Sequence, residues 1–278
     1  MRNIPFSAAL LISFLALASF ASQPEAQPGT LRVGAALVDI TPPSDAALPM
    51  SGYDSRKEGF RGIHDRIYVR AIVLSDGSSQ AAILAWELIG MPNGVWQELS
   101  ERISKELGIP VENLILAGEH VHSAPSLAGM YGEASPKSVE YTRQAEEAAF
   151  RAVEQAQKLL QPARFGFGAG RAYVNVNRRE LFPEVGWWLG FNPEGPSDKI
   201  VTVLKFETLS GMPIALLINY GVHGVVMGAE NLEVSGDLPG ATSRFVEQYY
   251  LGKVATRPDA GWDLKLKPEE KVKGLVAL

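Results

Sequence analysis

"LILAGEHVHSAP", residues 114 to 125, sets a short apolar run against two of the chain's four histidines. Leu114 to Ala117 has the length of a buried strand and is bounded by Asn113 and Gly118. His120 and His122 follow at i, i+2. On a helix such side chains diverge, whereas on an extended segment they share a face. The pair therefore reads as projecting from the end of a strand, where α/β proteins commonly build their sites. Glu119 would point away from His120 and reads as a supporting or surface carboxylate.

Working outward, Leu31 to Ile40 reads as a strand closed by Thr41-Pro42-Pro43, and residues 44–62 as a surface loop rich in glycine and proline. Ile67 to Leu74 and Ala81 to Trp86 flank Asp76-Gly77 as a hairpin. Asn93 reads as the cap of a helix that runs to Leu107 and stops at Gly108. Ser135-Pro136 opens the longest helix, to about Leu160. Phe165 to Gly168 and Tyr173 to Val176 read as strands. Ile200 to Glu207 and Ile214 to Tyr220 form a second hairpin, and Asp237 to Tyr250 a last helix. Strands and helices alternate without a regular βαβ rhythm. The fold class expected for residues 31–250 is α/β, a layered domain with mixed β-sheets flanked by helices. Residues 251–278 turn charged and weakly patterned, then end on the apolar run Gly274 to Leu278. They read as an irregular, truncated tail, an interruption that would leave an apolar sheet edge exposed.

The chain has 278 residues, 46% hydrophobic and 21% charged, with a net charge of −5 and no basic block. That is ordinary globular composition and argues against a nucleic-acid partner. Met1-Arg2-Asn3 is positively charged, residues 4–21 are almost wholly apolar or small, and Ser19-Phe20-Ala21 offers a cleavage site. Residues 1–21 therefore read as a signal peptide and residues 22–30 as a loose mature N-terminus, giving a secreted or periplasmic protein. The rival reading of the run is a membrane anchor. Cysteine is absent, which excludes disulfides and a thiol nucleophile and leaves oxygen and nitrogen ligands.

A third histidine, His223, follows a predicted strand end in "NYGVHGVVMG", residues 219 to 228. Three histidines at strand ends suit a zinc ion, which takes neutral imidazoles and can activate a water at neutral pH. The competing reading is that the pair only hydrogen-bonds backbone. His64, in "GIHDR", has no partner spacing and reads as structural. Trp187-Trp188 is either a platform for an apolar substrate or part of the core. Asn177-Arg178-Arg179 offers a clamp for an anion or carbonyl, or else a solvated pair. No G-x-S-x-G motif occurs, and Ser123 and Ser235 lack a nucleophile elbow. Glu230, Glu233 and Asp237 read as loop and helix-start carboxylates.

Together "VGAALVDITPP" (33–43), "GIHDRIYVRAIVL" (62–74), "AGEHVHSAP" (117–125), "NYGVHGVVMG" (219–228) and "VSGDLPGATSRFVE" (234–247) resemble, in order, the N-terminal catalytic domain of the neutral/alkaline ceramidases. The resemblance implies that His120 and His223 bind a catalytic zinc and that His122 lies near the scissile amide and assists proton transfer. It implies a secreted zinc amidohydrolase acting on an N-acyl, ceramide-like lipid, with peripheral membrane contact. The sequence departs from the family at H-V-H-S-A-P, where the usual motif is H-T-H-S-G-P. The downstream glutamate and tyrosine that complete the family's zinc shell, its G-D-x-S-P-like serine segment and its C-terminal immunoglobulin-like domain are not recognisable here. The expectation is thus a chain that is catalytically silent as written. The alternative is a noncatalytic exported binding protein that keeps the fold. Substrate-binding residues are not assigned.

Overall fold

The computed structural model describes residues 31–131, 134–252 and 275–278. Residues 1–30, where a signal peptide and a loose mature N-terminus are expected, and most of the tail lie outside the described residues. In chain order the strands are β1 (Arg32–Asp39), β2 (Gly62–Ile63), β3 (Tyr68–Ser75), β4 (Gln80–Trp86), β5 (Leu114–Gly118), β6 (Gln161–Arg171), β7 (Asn177–Phe182), β8 (Gly186–Asn192), β9 (Ile200–Thr208), β10 (Pro213–Tyr220), β11 (Glu233–Val234) and β12 (Val276–Ala277). The helices among them are α1 (Asn93–Leu107), α2 (Pro136–Lys158) and α3 (Asp237–Tyr250).

Eight strands form one sheet in the order β12-β10-β9-β6-β1-β3-β4-β5. The β4–β5 and β10–β12 pairs are parallel and the remaining pairs antiparallel, so the sheet is mixed, as the sequence predicts. Period-two alternation divides its side chains between two cores. Ala36, Ala71, Val73, Leu84 and Trp86 meet Leu99 and Ile103 of α1 and Ala145, Ala149 and Val153 of α2. Val33, Ala35 and Ile72 face the other way and meet Phe206, Ala215 and Val276, which come from the far half of the same sheet. The sheet is therefore folded back on itself. Outside β10 and β12, Leu216 and Ala277 pack with Val246 and Tyr250 of α3. The result is four layers, with helices, two sheet halves and a helix stacked in turn. Each fully buried aliphatic side chain in these cores contributes roughly 1.5–3 kcal/mol before the entropy of ordering is counted.

Local chemistry sets the helix ends. Ser135 Oγ accepts from the Ser138 amide at 3.1 Å, and Pro136 fills the first helical position without wasting a donor. Gly108 ends α1 with φ of 69°, the left-handed conformation glycine adopts freely. Four sequence expectations need correction. Asn93 is inside α1; Pro92 takes the cap position and provides no side-chain bond. Tyr173 to Val176 pairs with no strand, and the chain there is fixed by Asn175, whose amide donates to the Gly221 carbonyl at 2.7 Å. The strand instead comes next, as β7, paired antiparallel with β8 in a hairpin that was not expected. Finally, Leu275 to Leu278 is not irregular. β12 runs parallel to β10, and all four residues are buried.

The space between the sheet halves turns polar at one end. Arg70 of β3 is only 1% exposed there, bonded to Glu87 and, at 2.8 Å, to Glu247 of α3. Buried charges of this kind persist only as compensated sets.

Candidate metal centre

After Gly118 the chain kinks. His120 has φ of 58°, a left-handed conformation uncommon for a residue with a side chain and more accessible to histidine than to branched residues. This kink, and not the alternation of an extended strand, aims both rings of the pair into one space. Their centroids are 5.0 Å apart and their Nε2 atoms 3.3 Å. His223, just beyond β10, brings its ring to 4.8 Å from His120 and 4.6 Å from His122. One nitrogen from each ring lies within 4.8 Å of the others, and among the described residues these three histidines form the group able to hold a metal ion.

The three rings are held differently. His120 Nδ1 lies 2.9 Å from the Ile89 carbonyl. A carbonyl only accepts, so Nδ1 carries the proton and Nε2 presents a lone pair inward, the usual arrangement behind a metal-binding histidine. His223 Nδ1 lies 3.2 Å from Arg178 Nη1 on β7. A guanidinium only donates, so this nitrogen accepts, and the contact must open before Nδ1 can serve a cation. His122 is 8% exposed, edge-on to Tyr53 at 5.0 Å, and its buried Nδ1 has no hydrogen-bond partner. Burial, together with the charges of His223 and His120, pulls the His122 imidazolium down to about 4. Burial and Arg178 likewise lower His223. Neutral rings are the ligand form.

Backbone seams fix the loop that carries His122. Arg56 donates to the carbonyls of Ser51 and His122 and, at 3.1 Å, of Asn231. The Ser51 amide donates to Ala124 O at 3.0 Å and the Ser235 amide to Ser123 O at 2.8 Å. Gly52 supports the ring from behind: a Cβ there would stand 2.8 Å from His122 Cβ and nearer still to its ring.

Of the residues singled out in the sequence, His120, His122 and His223 come together, and Arg178 joins them. His64 does not; its Nδ1 meets Asp65 Oδ2 at 2.6 Å. Ser235 Oγ donates to that same carboxylate oxygen at 2.6 Å. The carboxylate thus sits between serine and histidine, an order that gives the serine no base. Asp237 accepts from the Val226 and Met227 amides at 3.0 Å each, anchoring the loop after His223. Trp187 and Trp188 are 61% and 65% exposed, which removes the core reading. Glu119 is no surface group. Its Oε2 is buried without a partner, and burial, with Glu87 nearby, pushes its carboxyl up to about 7. Ile89, Arg56 and Gly52 were missed, because a supporting carbonyl or a close approach has no sequence signal of its own.

The donor set fits a metal such as zinc: three imidazoles, one oriented by a backbone acceptor and one with an orphaned buried nitrogen. The model of the N-terminal part of the neutral/alkaline non-lysosomal ceramidases matches residues 31–260. The chain belongs to that family. It is similar to neutral ceramidase A of Dictyostelium discoideum, 27% identical over 241 residues that cover 80% of this chain and 32% of the relative. The neutral ceramidase of Pseudomonas aeruginosa is 29% identical over 261 residues, 87% of this chain and 37% of that protein. A solved structure described as ceramidase complexed with C2 superposes with a TM-score of 0.68 at 25% identity, covering 89% of this chain and 37% of the other. The chain thus spans about a third of the length of the ceramidases it matches. Among the described residues no helix is long and apolar enough to cross a membrane.

Proposed function

We propose that this chain carries the histidine centre of a zinc-dependent amidohydrolase that cleaves the amide of an N-acyl, ceramide-like lipid. The observation that carries the reading is the convergence of His120, His122 and His223 from two separate strand ends in a member of the ceramidase family. In this reading His120 and His223 hold zinc, which when bound supplies Lewis-acid activation of water and of the amide carbonyl. His120 suits the ligand role because Ile89 O fixes its tautomer. His122, sheltered and with a free Nδ1, carries a proton from the attacking water toward the leaving nitrogen. Arg178 reaches the same space from β7 and offers a positive charge to the carbonyl oxygen. The β7–β8 hairpin that carries it exposes Trp187, Trp188, Leu189 and Phe191, side chains suited to the surface of a lipid aggregate. Residues 1–21 direct export as a cleaved signal peptide, so the protein acts outside the cytoplasm.

The test is a comparison of three alanine variants made in a version of the protein that spans the full length of its ceramidase relatives, scored for bound zinc and for turnover of a fluorescent N-acyl sphingosine. His120→Ala and His223→Ala are expected to lose zinc. His122→Ala is expected to keep it and to lose roughly 10²–10⁴ in rate. Loss of zinc from His122→Ala would make that residue a ligand. Full zinc occupancy without amide cleavage in the unmodified protein would instead identify a noncatalytic binding protein.

A further inference from the structure

The loop that carries His223 is tied to the start of α3 through one side chain. Asp237 is 5% exposed, and its Oδ1 and Oδ2 accept from the Val226 and Met227 amides at 3.0 Å each, just beyond His223 in the chain. Gly224 sits against the same turn of helix, where a Cβ would stand 2.8 Å from Pro239 Cδ. Asp237 also has φ of 49°; of the three described non-glycine residues with positive φ, one is His120 itself and one is Asp237. Backbone of this kind persists where its surroundings impose it, and it concentrates at functional sites. The residues just before Asp237 hold the other histidine loop. The Ser235 amide donates to Ser123 O at 2.8 Å, beside His122. Ser235 Oγ accepts from the Asp237 amide at 2.9 Å and donates to Asp65 at 2.6 Å. Asp65 in turn accepts from the Gly236 amide at 3.0 Å and from Arg244 at 2.7 Å. Residues 235–237 therefore fasten both histidine loops to one frame, and on the His223 side the fastening is the Asp237 carboxyl.

We propose that Asp237 is the residue that positions His223 against His120 and His122: its carboxyl clamps the two loop amides beyond His223 and keeps the third ring inside the cluster before any metal binds. With the clamp in place the loop is already ordered, so the entropy of ordering it does not subtract from metal affinity. Without it, the fraction of molecules with all three rings converged falls, and metal affinity falls by the same fraction. Aspartate is among the few residues with a side chain that accept the left-handed turn found here. The proposal rests on the reading of the histidines as a metal centre only for its effect on zinc, because the placement of the ring is a property of the metal-free protein.

The experiment compares Asp237→Ala, Asp237→Gly and Asp237→Asn with the parent chain, using protein labelled only at histidine. Nuclear Overhauser contacts between the rings are recorded without metal, and zinc affinity is then measured by competition with a chelator. The parent is expected to show contacts among His120, His122 and His223, whose ring centroids lie 4.6 to 5.0 Å apart. Asp237→Ala and Asp237→Gly are expected to lose the contacts of His223 while keeping the contact between His120 and His122, and to weaken zinc about tenfold or more, as fits the loss of two hydrogen bonds. Asp237→Asn keeps one acceptor oxygen and tolerates the left-handed turn, so it is expected to fall between them and the parent. Glycine is free at positive φ. Parent-like contacts and affinity in Asp237→Gly would show that only the backbone turn matters and would overturn the proposal. So would loss of the contact between His120 and His122 together with those of His223, which marks a general loss of structure. The two readings fail separately. Ring contacts that respond as expected in a protein that binds no zinc defeat the metal reading alone, and zinc bound equally by the parent and all three variants defeats the positioning role alone.

Discussion

Gly52→Ala puts the shaping of the metal centre to a measurement that carries its own control. Gly52 has φ of 98° and Gly77 φ of 90°, so alanine is strained by a similar amount at both. That strain costs about 1–3 kcal/mol, which in a domain of this size lowers Tm by roughly 2–12 °C. The surroundings differ. At Gly77 a Cβ meets nothing within 4 Å, whereas at Gly52 it runs into His122, 2.8 Å from that residue's Cβ and closer to its ring. His122 has little room to retreat, being 8% exposed and packed against Tyr53. Overpacking of this kind adds roughly 1–3 kcal/mol. Gly52→Ala should therefore melt below Gly77→Ala, and, in a version of the protein that spans the full length of its ceramidase relatives, it should lose amide turnover while Gly77→Ala keeps it. Thermal melts followed by circular dichroism, with turnover of a fluorescent N-acyl lipid, provide both readouts. If the two variants match in melting temperature and activity, Gly52 does not shape His122 and the argument fails.

Four further outcomes follow from the same structure. Burial raises the Asp65 carboxyl, but hydrogen bonds from Ser235, His64 and Gly236 and the charge of Arg244 outweigh it and hold the group below its ordinary value of 3.8. A depressed carboxylate stabilises the fold at neutral pH and loses that contribution as pH falls below about 4. Denaturant melts from pH 7 to 3 should thus show a shallower acid loss in Asp65→Asn, and identical slopes would contradict the assignment. Trp86, fully buried with its indole donating to Gly90 O at 3.1 Å, should cost about 3–5 kcal/mol on mutation to alanine. Trp187→Ala and Trp188→Ala should stay within about 0.5 kcal/mol of the parent yet weaken binding to zwitterionic vesicles; a large loss of stability would place them in a core. Val276→Asp buries a charge in β12 and should release that strand. Hydrogen exchange would report it at the Ile218 amide, which donates to Leu278 O at 2.8 Å, and unchanged protection there would refute the pairing.

The parts of the fold that were legible are those in which local chemistry and burial agree. β1, β3 and β4 alternate between two cores, and α2 begins at a serine followed by proline, so pattern and punctuation coincide. The β7–β8 hairpin was missed for the opposite reason. It stands clear of the body with apolar side chains exposed on both faces, so neither face imposes an inside–outside alternation. Tyr173 to Val176 was mistaken for a strand because aromatic and β-branched residues favour pleated structure. There the side-chain amide of Asn175, buried against Gly221 O, holds the backbone in place of a ladder.

The centre itself was half legible. The pair His120 and His122 marked a site, but its convergence with His223 depends on a contact that no local pattern encodes. β5 ends one side of the strand order, and β10 lies next to the other end. In a flat sheet their ends would be six intervals of about 4.8 Å apart, roughly 29 Å in all. Only the fold-back that packs Ala215 and Val276 against Val33 and Ile72 brings His223 within 4.8 Å of His120. The apolar residues of the last described strand therefore bear on the site. Val276 and Leu278 help hold the two halves face to face. Releasing β12 should accordingly loosen the approach of His223 to His120 as well as the edge of the sheet. Val276→Asp is then expected to lower zinc affinity as well, because the inter-sheet core that Val276 joins holds the two sheet halves, and with them His120 and His223, face to face.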